Sequence, residues 1–522
     1  MERPLLSQTS GSINDSPGVH PTNRRRPGLL YYCRCFRCCA YCTSLNSNVR
    51  NVLCYTFAWY SASSIFQRDL LSVLVRRISG SNQAVGLISG VQGIAQVLLA
   101  FPVGYFGDRF LRQTLLRWGI FVGLCATAVT SYIFVTLEPG ASLLLFYIGF
   151  FIWGGYIVLT NPAVESLFAD SVPTGERTFI FSVKFALLQI ARATGPAISV
   201  GLFCRLGDSW KLVTLRKVLL IGAAIGVGAM LLLVRLRDDQ SLGEEAEIHT
   251  EAETKRETEI EEEGDPVLEW PGHRDDGDFG PASEIDAPQS SASSCCCCCC
   301  CCCCYGTTAS KIRWTIAFSD VFTSTAAGMT VKFFPLWFVA SNDPGPLRGY
   351  DFSPINLSWL YLVMPLCTAL FAMILKQAKI AGVGRPLAIV LSKAAGIAAL
   401  YTMCFFDMEC RRPLFMCALF VFRTAIMNSG SGMKRSILMD AVPKSQRVRW
   451  NSLESITRMT WSGSAVLGGF LVDQYGFRFC FLITAIVYSV STTPFLLLIY
   501  LLPKLEAERE EEKDKDEDEE EG

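Results

Sequence analysis

The sequence predicts an all-α integral membrane protein with twelve transmembrane helices arranged as two six-helix halves. Three observations carry that prediction. The 522-residue chain is 51% hydrophobic and 18% charged, with a mean hydropathy of +0.32, whereas soluble domains carry about a quarter charged residues. Apolar runs of about 20 residues, the length that crosses a ~30 Å hydrocarbon core, recur along it. Finally, Asp170-Ser171-Val172-Pro173 followed by Arg177 returns 270 residues later as Asp440-Ala441-Val442-Pro443 followed by Arg447, which marks two halves of like fold.

The first six spans are read at residues 52–75, 84–106, 114–136, 141–168, 178–203 and 212–234, and the second six at 312–340, 357–375, 386–406, 413–438, 450–472 and 477–502. They are apolar on every side, whereas barrel strands alternate over about ten residues, so they are helices. Span 2 carries Gly86 and Gly90, and span 11 carries Gly463, Gly468 and Gly469, which allow backbones to approach where lipid gives no hydrophobic drive. The chain therefore divides into a polar, basic leader (1–50), a first bundle (51–234), an acidic linker (235–310), a second bundle (311–503) and an acidic tail (504–522).

The formal net charge of -1 is a cancellation. Of 48 acids, 19 fall between Asp238 and Asp286 and 12 in the tail 504–522, leaving 40 bases against 17 acids elsewhere, a net of +23. An even number of spans puts both termini on one side. The remaining bases concentrate in segments on that side, so the termini are expected to be cytoplasmic.

The linker and tail lack apolar periodicity and read as disordered. Cys33, Cys35, Cys38, Cys39 and Cys42, interleaved with Arg34 and Arg37, have the composition of an S-palmitoylated juxtamembrane site, with reduced thiols the plainer alternative. The run Cys295–Cys304 is a low-complexity repeat. No disulfide scaffold or cleaved secretory signal is read. Glu2-Arg3-Pro4-Leu5-Leu6 resembles an acidic dileucine sorting signal, one residue short.

The connection between spans 2 and 3 reads GYFGDRFLRQ, residues 104–113. It resembles the signature that the major facilitator superfamily carries there, Gly104, Asp108, Arg109 and Arg112 matching, with Leu111 at the usual second glycine and Gln113 at the last base. Asp473-Gln474-Tyr475-Gly476-Phe477-Arg478 is similar to that family's approach into its last helix. The resemblance implies alternating access between the halves. It also implies that Asp108 caps the start of span 11, and that Arg109 or Arg112 pairs with Glu165 or Asp170 at the end of span 4. Gly104, Asp108, Arg109, Arg112, Glu165, Asp170, Arg177, Asp440 and Arg447 are thus the expected cytoplasmic gate. The bland alternative is a well-capped basic turn.

Within the spans stand seven bases (Arg68, Lys184, Arg192, Lys332, Lys393, Arg423, Arg458) and four acids (Asp69, Glu165, Asp320, Glu454). A charge at a helix centre costs ~2.5–3.5 kcal/mol on insertion scales, so each needs a partner or a wet cavity. Arg68 and Asp69 read as snorkelling outward, Glu165 inward, and Glu454 and Arg458, four apart, as a pair on one face. Arg192 and Arg423 lie near the middles of spans 5 and 10, where a planar guanidinium suits a carboxylate or phosphate. Asp320 and Lys332, about 18 Å apart along span 7, serve different layers. Substrate or coupling roles are therefore expected of Arg192, Arg423, Asp320 and Lys332, and Glu454 and Arg458 complete the candidates. Structural ion pairs are the equal alternative for each.

His20, His249 and His273 fall outside the spans, so coupling, where present, would run through a carboxylate. No nucleotide-binding loop, nucleophile elbow or paired-histidine metal motif appears, so no enzyme, cofactor, metal or nucleic-acid partner is expected. The expectation is a secondary or facilitative carrier of a small, anionic organic solute. A proton or cation is its coupling ion if transport is coupled, one copy suffices, and it resides in a plasma or endosomal/vacuolar membrane. The alternative is a transporter-derived sensor or scaffold acting through its acidic cytoplasmic segments.

Overall fold

The computed structural model describes residues 45–107, 109–173, 177–241, 308–341, 343, 345–378, 384–405, 413–442, 447–505 and 507, with side chains at 107, 177–178, 436, 439–440 and 447–456 outside that description. The cysteine clusters, the sorting-like leader, Asp108 and nearly all of both acidic segments therefore lie outside the described residues, as do the side chains of Arg177, Asp440, Arg447 and Glu454. The described helices belong to the unit Asn46–Gly522.

Span 1 is two helices, α1 (Ser47–Phe66) and α2 (Asp69–Ser79); spans 2 to 6 are α3 (Asn82–Gly107), α4 (Arg112–Thr136), α5 (Leu144–Asp170), α6 (Arg177–Leu206) and α7 (Leu212–Leu231). Span 7 is again divided, into α8 (Thr308–Val331) and α9 (Phe334–Val339). Spans 8 and 9 are α10 (Pro354–Ala378) and α11 (Arg385–Phe405), and span 10 breaks at Gly430 into α12 (Pro413–Ser429) and α13 (Ser431–Ala441). Span 11 is α14 (Arg447–Tyr475), and span 12 is α15 (Phe477–Thr492) with helix resuming at 495–505. Among the described residues, nine helices are long and apolar enough to cross a membrane on their own. In spans 1, 7 and 11 the helices Ser47–Phe66, Thr308–Val331 and Arg447–Tyr475 are long enough, at 20, 24 and 29 residues, but too polar for that measure.

The reading of spans 1, 7 and 10 as continuous helices is corrected here. Lys332 and Phe333 form a turn before α9, whose Pro335 sits in the first turn, where a missing N–H costs nothing. Equivalent first helices of the two halves are thus both interrupted. The linker boundary moves as well: two 3-10 turns, Leu232–Arg235 and Asp238–Gln240, return to the start of α1. Asn48, fully buried, donates to the Arg237 carbonyl at 2.8 Å and to Ser171 Oγ at 3.2 Å. In the second half Arg313 donates to the Ala441 carbonyl at 3.2 Å, so each copy of the repeated Asp-x-Val-Pro stretch is held by a polar side chain at the start of its half.

Each half has its own aromatic core. In the first, Trp59 stacks within 5.0–6.4 Å of Phe66, Trp153, Tyr156 and Tyr55; Tyr55 and Tyr156 share a 2.9 Å hydrogen bond, and Trp153 Nε1 donates to Thr130 at 3.1 Å. In the second, Phe334, Trp337, Phe338, Phe420 and Phe481 play that part. Ring packing and satisfied N–H and O–H groups together fix these cores.

The halves meet along spans 2 and 11. Gly86 abuts the Ala465 backbone, Gly90 the Val466 side chain and Gly93 the Ser462 side chain, while Gly468 faces Met329 of span 7 and Gly469 faces Asn82 and Gln83. Small residues at three- and four-residue spacing let the backbones approach; Gly463, expected to join them, faces open space. These contacts occupy the ends of the spans remote from the chain termini, called distal here. Along span 2, Ala84, Val85, Ile88 and Ser89 are buried, whereas Phe101 is 84% exposed and Tyr105 and Phe106 are exposed. Among the described residues, the halves touch distally and part toward the termini.

Replacing Trp153 by Ala removes the centre of the first core and should cost about 3–5 kcal/mol. A thermal unfolding series in detergent should show a large loss for W153A and almost none for exposed Trp118→Ala.

Candidate functional site

The breaks in spans 1 and 7 put charges where an unbroken apolar helix would not. Where α1 stops at Phe66 and α2 restarts at Asp69, the residues between are released from regular helical geometry, and Arg68 adopts φ -113 and ψ -115. Asp69 occupies the first turn of α2, where a carboxylate faces the positive helix end. Its charged neighbours are Arg68 and, from the break in span 7, Lys332. Interrupted helices at corresponding positions are a recurrent way to place ion-binding groups at membrane depth.

Arg68 and Asp69 line a cavity of about 380 Å³ between the halves, together with Ser64, Gln189, Arg192 and Pro196 of the first half and Phe334, Tyr361, Thr368, Phe420, Arg423, Thr424, Asn428 and Trp461 of the second. Arg192 lies over the Tyr60 ring at 5.6 Å. Arg423 is 4% exposed, its guanidinium between the rings of Phe334 (5.1 Å) and Tyr488 (5.4 Å). Its Nε and Nη2 are buried with no hydrogen-bond partner, as is the cavity-lining Thr424 hydroxyl. The charges on the wall are thus three guanidinium groups and one carboxylate. A buried cation with open donors is held at a cost that an arriving anion removes.

The structure gathers Arg192 and Arg423 at one cavity and separates the other candidates from it. Asp320 pairs with Lys434 of α13 at 2.6 Å. Lys393 stands behind that pair, 3.5 Å from the Thr323 hydroxyl and 4.0 Å above the Phe495 ring. Lys332 approaches the site through Asp69. Arg458 is exposed, on the part of span 11 nearer the termini. The snorkelling reading of Arg68 and Asp69 is corrected: both face the cavity, because the break turns them inward. The signal that could have found them was a charged pair inside one apolar run, matched by Lys332 with Pro335 after it in the equivalent run of the other half.

On the termini side, Arg112 pairs with Asp170, joining the connection after span 2 to the end of span 4. Glu165 pairs instead with Lys184 at 2.8 Å, and Arg109 lies over the Tyr105 ring at 4.3 Å. Asp238 accepts the Gln113 N–H at 3.0 Å at the start of α4. Gly104 is exposed and faces open space.

Two like bundles that meet distally, with a charged cavity between them, match the plan of membrane carriers built from paired repeats. The sequence profile of the Major Facilitator Superfamily matches residues 42–433. The chain belongs to that superfamily and is a multi-pass membrane transport protein. Similar solved structures include a bacterial homologue of the iron transporter ferroportin in its inward-facing state, with TM-score 0.59 and 12% identity over 87% of this chain and 98% of that one. The D-xylose–proton symporter gives 0.58 and 11%, over 87% and 97%, and the nucleoside transporter NupG 0.56 and 13%, over 87% and 99%. At such identities they share the fold alone. No curated protein sequence matches the chain.

If Arg423 is held at a cost for a ligand's sake, removing its charge should stabilise the empty protein. Arg423→Met should raise the melting temperature measured without added solute, by about 1–3 kcal/mol of relieved desolvation, whereas a structural Arg423 would lower it.

Proposed function

We propose that the protein carries a small organic anion across its membrane by alternating access, with Arg192 and Arg423 gripping the solute from opposite halves. The observation that carries this reading is the buried Arg423 guanidinium with two unpartnered donors in a cavity whose wall charges are three arginines and one aspartate. Arg68 and Lys332 flank Asp69, so that carboxylate gives little surplus negative charge to attract a cation. The sugar, nucleoside and metal carriers of the same fold show no common solute, and the choice falls to the charges on this wall. A volume of about 380 Å³ is at the lower end of small-molecule pockets.

The halves part toward the termini, so solute enters or leaves there in this state. With the termini cytoplasmic, as the distribution of bases supports, the cavity faces the cytoplasm. A carboxylate or phosphate bound by Arg192 and Arg423 together would draw spans 5 and 10 toward each other and favour closure on that side, since a ligand shifts the equilibrium by its differential affinity for the two states. Asp69, and Asp320 with its Lys434 partner, are the carboxylates through which a coupling proton or cation would act.

In proteoliposomes, carboxylates or phosphate esters should be taken up in preference to cations and neutral sugars. Arg192→Gln and Arg423→Gln should each reduce uptake about 30-fold or more, the equivalent of at least 2 kcal/mol for an unpaired ligand charge, with membrane insertion unchanged. Preference for a cation or a sugar would remove the anion reading.

A further inference from the structure

The first N–H groups of any helix lack partners within it, and at the distal face the start of α3 receives them from the other half. Asp473, one residue beyond the apolar run of span 11, accepts four hydrogen bonds. Its Oδ1 takes the Asn82 N–H at 3.0 Å and Asn82 Nδ2 at 2.7 Å; its Oδ2 takes the Gln83 N–H at 2.8 Å and Ser81 Oγ at 2.6 Å. A carboxylate of the second half is therefore the N-terminal cap of a helix in the first. Charge-assisted bonds to a positive helix end are the strong kind.

The reverse exchange occurs at the equivalent place. Asp208, just past the end of α6 in the first half, accepts the Ile355 N–H at 3.0 Å in the first turn of α10. Beside it, Trp210 Nε1 donates to the Phe352 carbonyl at 2.7 Å. Spans 5 and 11 correspond in the six-helix repeat, as do spans 2 and 8. The short sequences agree as well: Asp208-Ser209-Trp210 and Asp473-Gln474-Tyr475 are both aspartate, one residue, then an aromatic ring. The two halves thus cap each other reciprocally.

We propose that Asp473 and Asp208 form a two-point latch that closes the distal end and sets the balance between the two accessible states. Every one of these bonds crosses between the halves, so all are lost when the distal ends separate. Their free energy therefore acts on the conformational equilibrium rather than on either half alone. The glycine seam of spans 2 and 11 packs beneath the latch and supplies contacts of its own, so a variant with weakened caps should keep both bundles assembled. The inference rests on alternating access of the halves and not on the identity of the solute.

The Asp473 cap is not a sensor of mild acidity. Burial by itself would raise the Asp473 carboxyl, but the bonds from Ser81, Gln83 and Asn82 outweigh it and hold the group below its usual range. A carboxyl lowered in the closed state stabilises that state above its ordinary value and loses the effect only as pH falls through the lowered one. The Asp473 cap should therefore hold unchanged between about pH 5 and 8.

Hydrogen–deuterium exchange of the full chain without solute tests the latch. Asp473→Asn and Asp208→Asn should speed exchange at the distal ends, residues 82–86 and 355–359, by about tenfold. They should also slow it in the parts of spans 5, 10 and 11 nearer the termini, because opening one end closes the other; Asp473→Glu should restore most of the original pattern. Faster exchange confined to the capped turn, with no slowing on the termini side, would make the aspartates local caps and overturn the proposal. Anion transport by the unmodified chain, measured separately, keeps that outcome distinct from failure of the solute reading.

Discussion

Everything in this molecule turns on the cost of leaving a charge or a backbone group without a partner where there is no bulk water. In a helical bundle surrounded by lipid, backbone groups are satisfied within each helix and side-chain charges must be satisfied by one another. Among the described residues Arg112 pairs with Asp170, Lys184 with Glu165 and Lys434 with Asp320. On the cavity wall, by contrast, Arg423 keeps two open donors and the positive groups outnumber the single aspartate. An arrangement that is costly when empty becomes favourable when an anion occupies it, and that difference is what a carrier can use to change state.

The duplicated architecture turns this local imbalance into a mechanism. Broken first helices in each half deliver Arg68, Asp69 and Lys332 to the middle of the molecule, while Arg192 and Arg423 come from spans 5 and 10 on opposite sides of the cavity. In the proposed cycle a solute gripped by both would link two bodies that move relative to each other. At the distal end the halves exchange helix caps above a seam of small residues, so the closed end is secured by bonds that disappear when it opens.

Much of this was legible in the sequence because its signals are local. Apolar length marked the spans, a repeated Asp-x-Val-Pro stretch marked the two halves, and Arg192 and Arg423 stood out because a guanidinium near the middle of an apolar run has no short snorkelling route. The breaks were less visible. Nothing around Gln67 is a proline or a glycine, so Arg68 and Asp69 read as residues near a helix end, and only the three-dimensional course of the chain turns them to the cavity. Long-range pairs were illegible for a related reason: Lys434 and Asp320 are 114 residues apart, and sequence separation carries no information about which of several bases an acid will meet. Asp473 looked like an ordinary connection residue because its partners, Ser81 to Gln83, belong to the other half.

The central claim is that the wall selects negative charge, and equilibrium binding tests it without any assumption about the transport cycle. Melting temperature of the purified chain, followed across solutes matched in size but differing in charge, should rise with organic anions and stay unchanged with neutral and cationic analogues. The rise should vanish in Arg423→Gln. An equal rise with neutral analogues, or an anion effect that survives the substitution, would contradict the account.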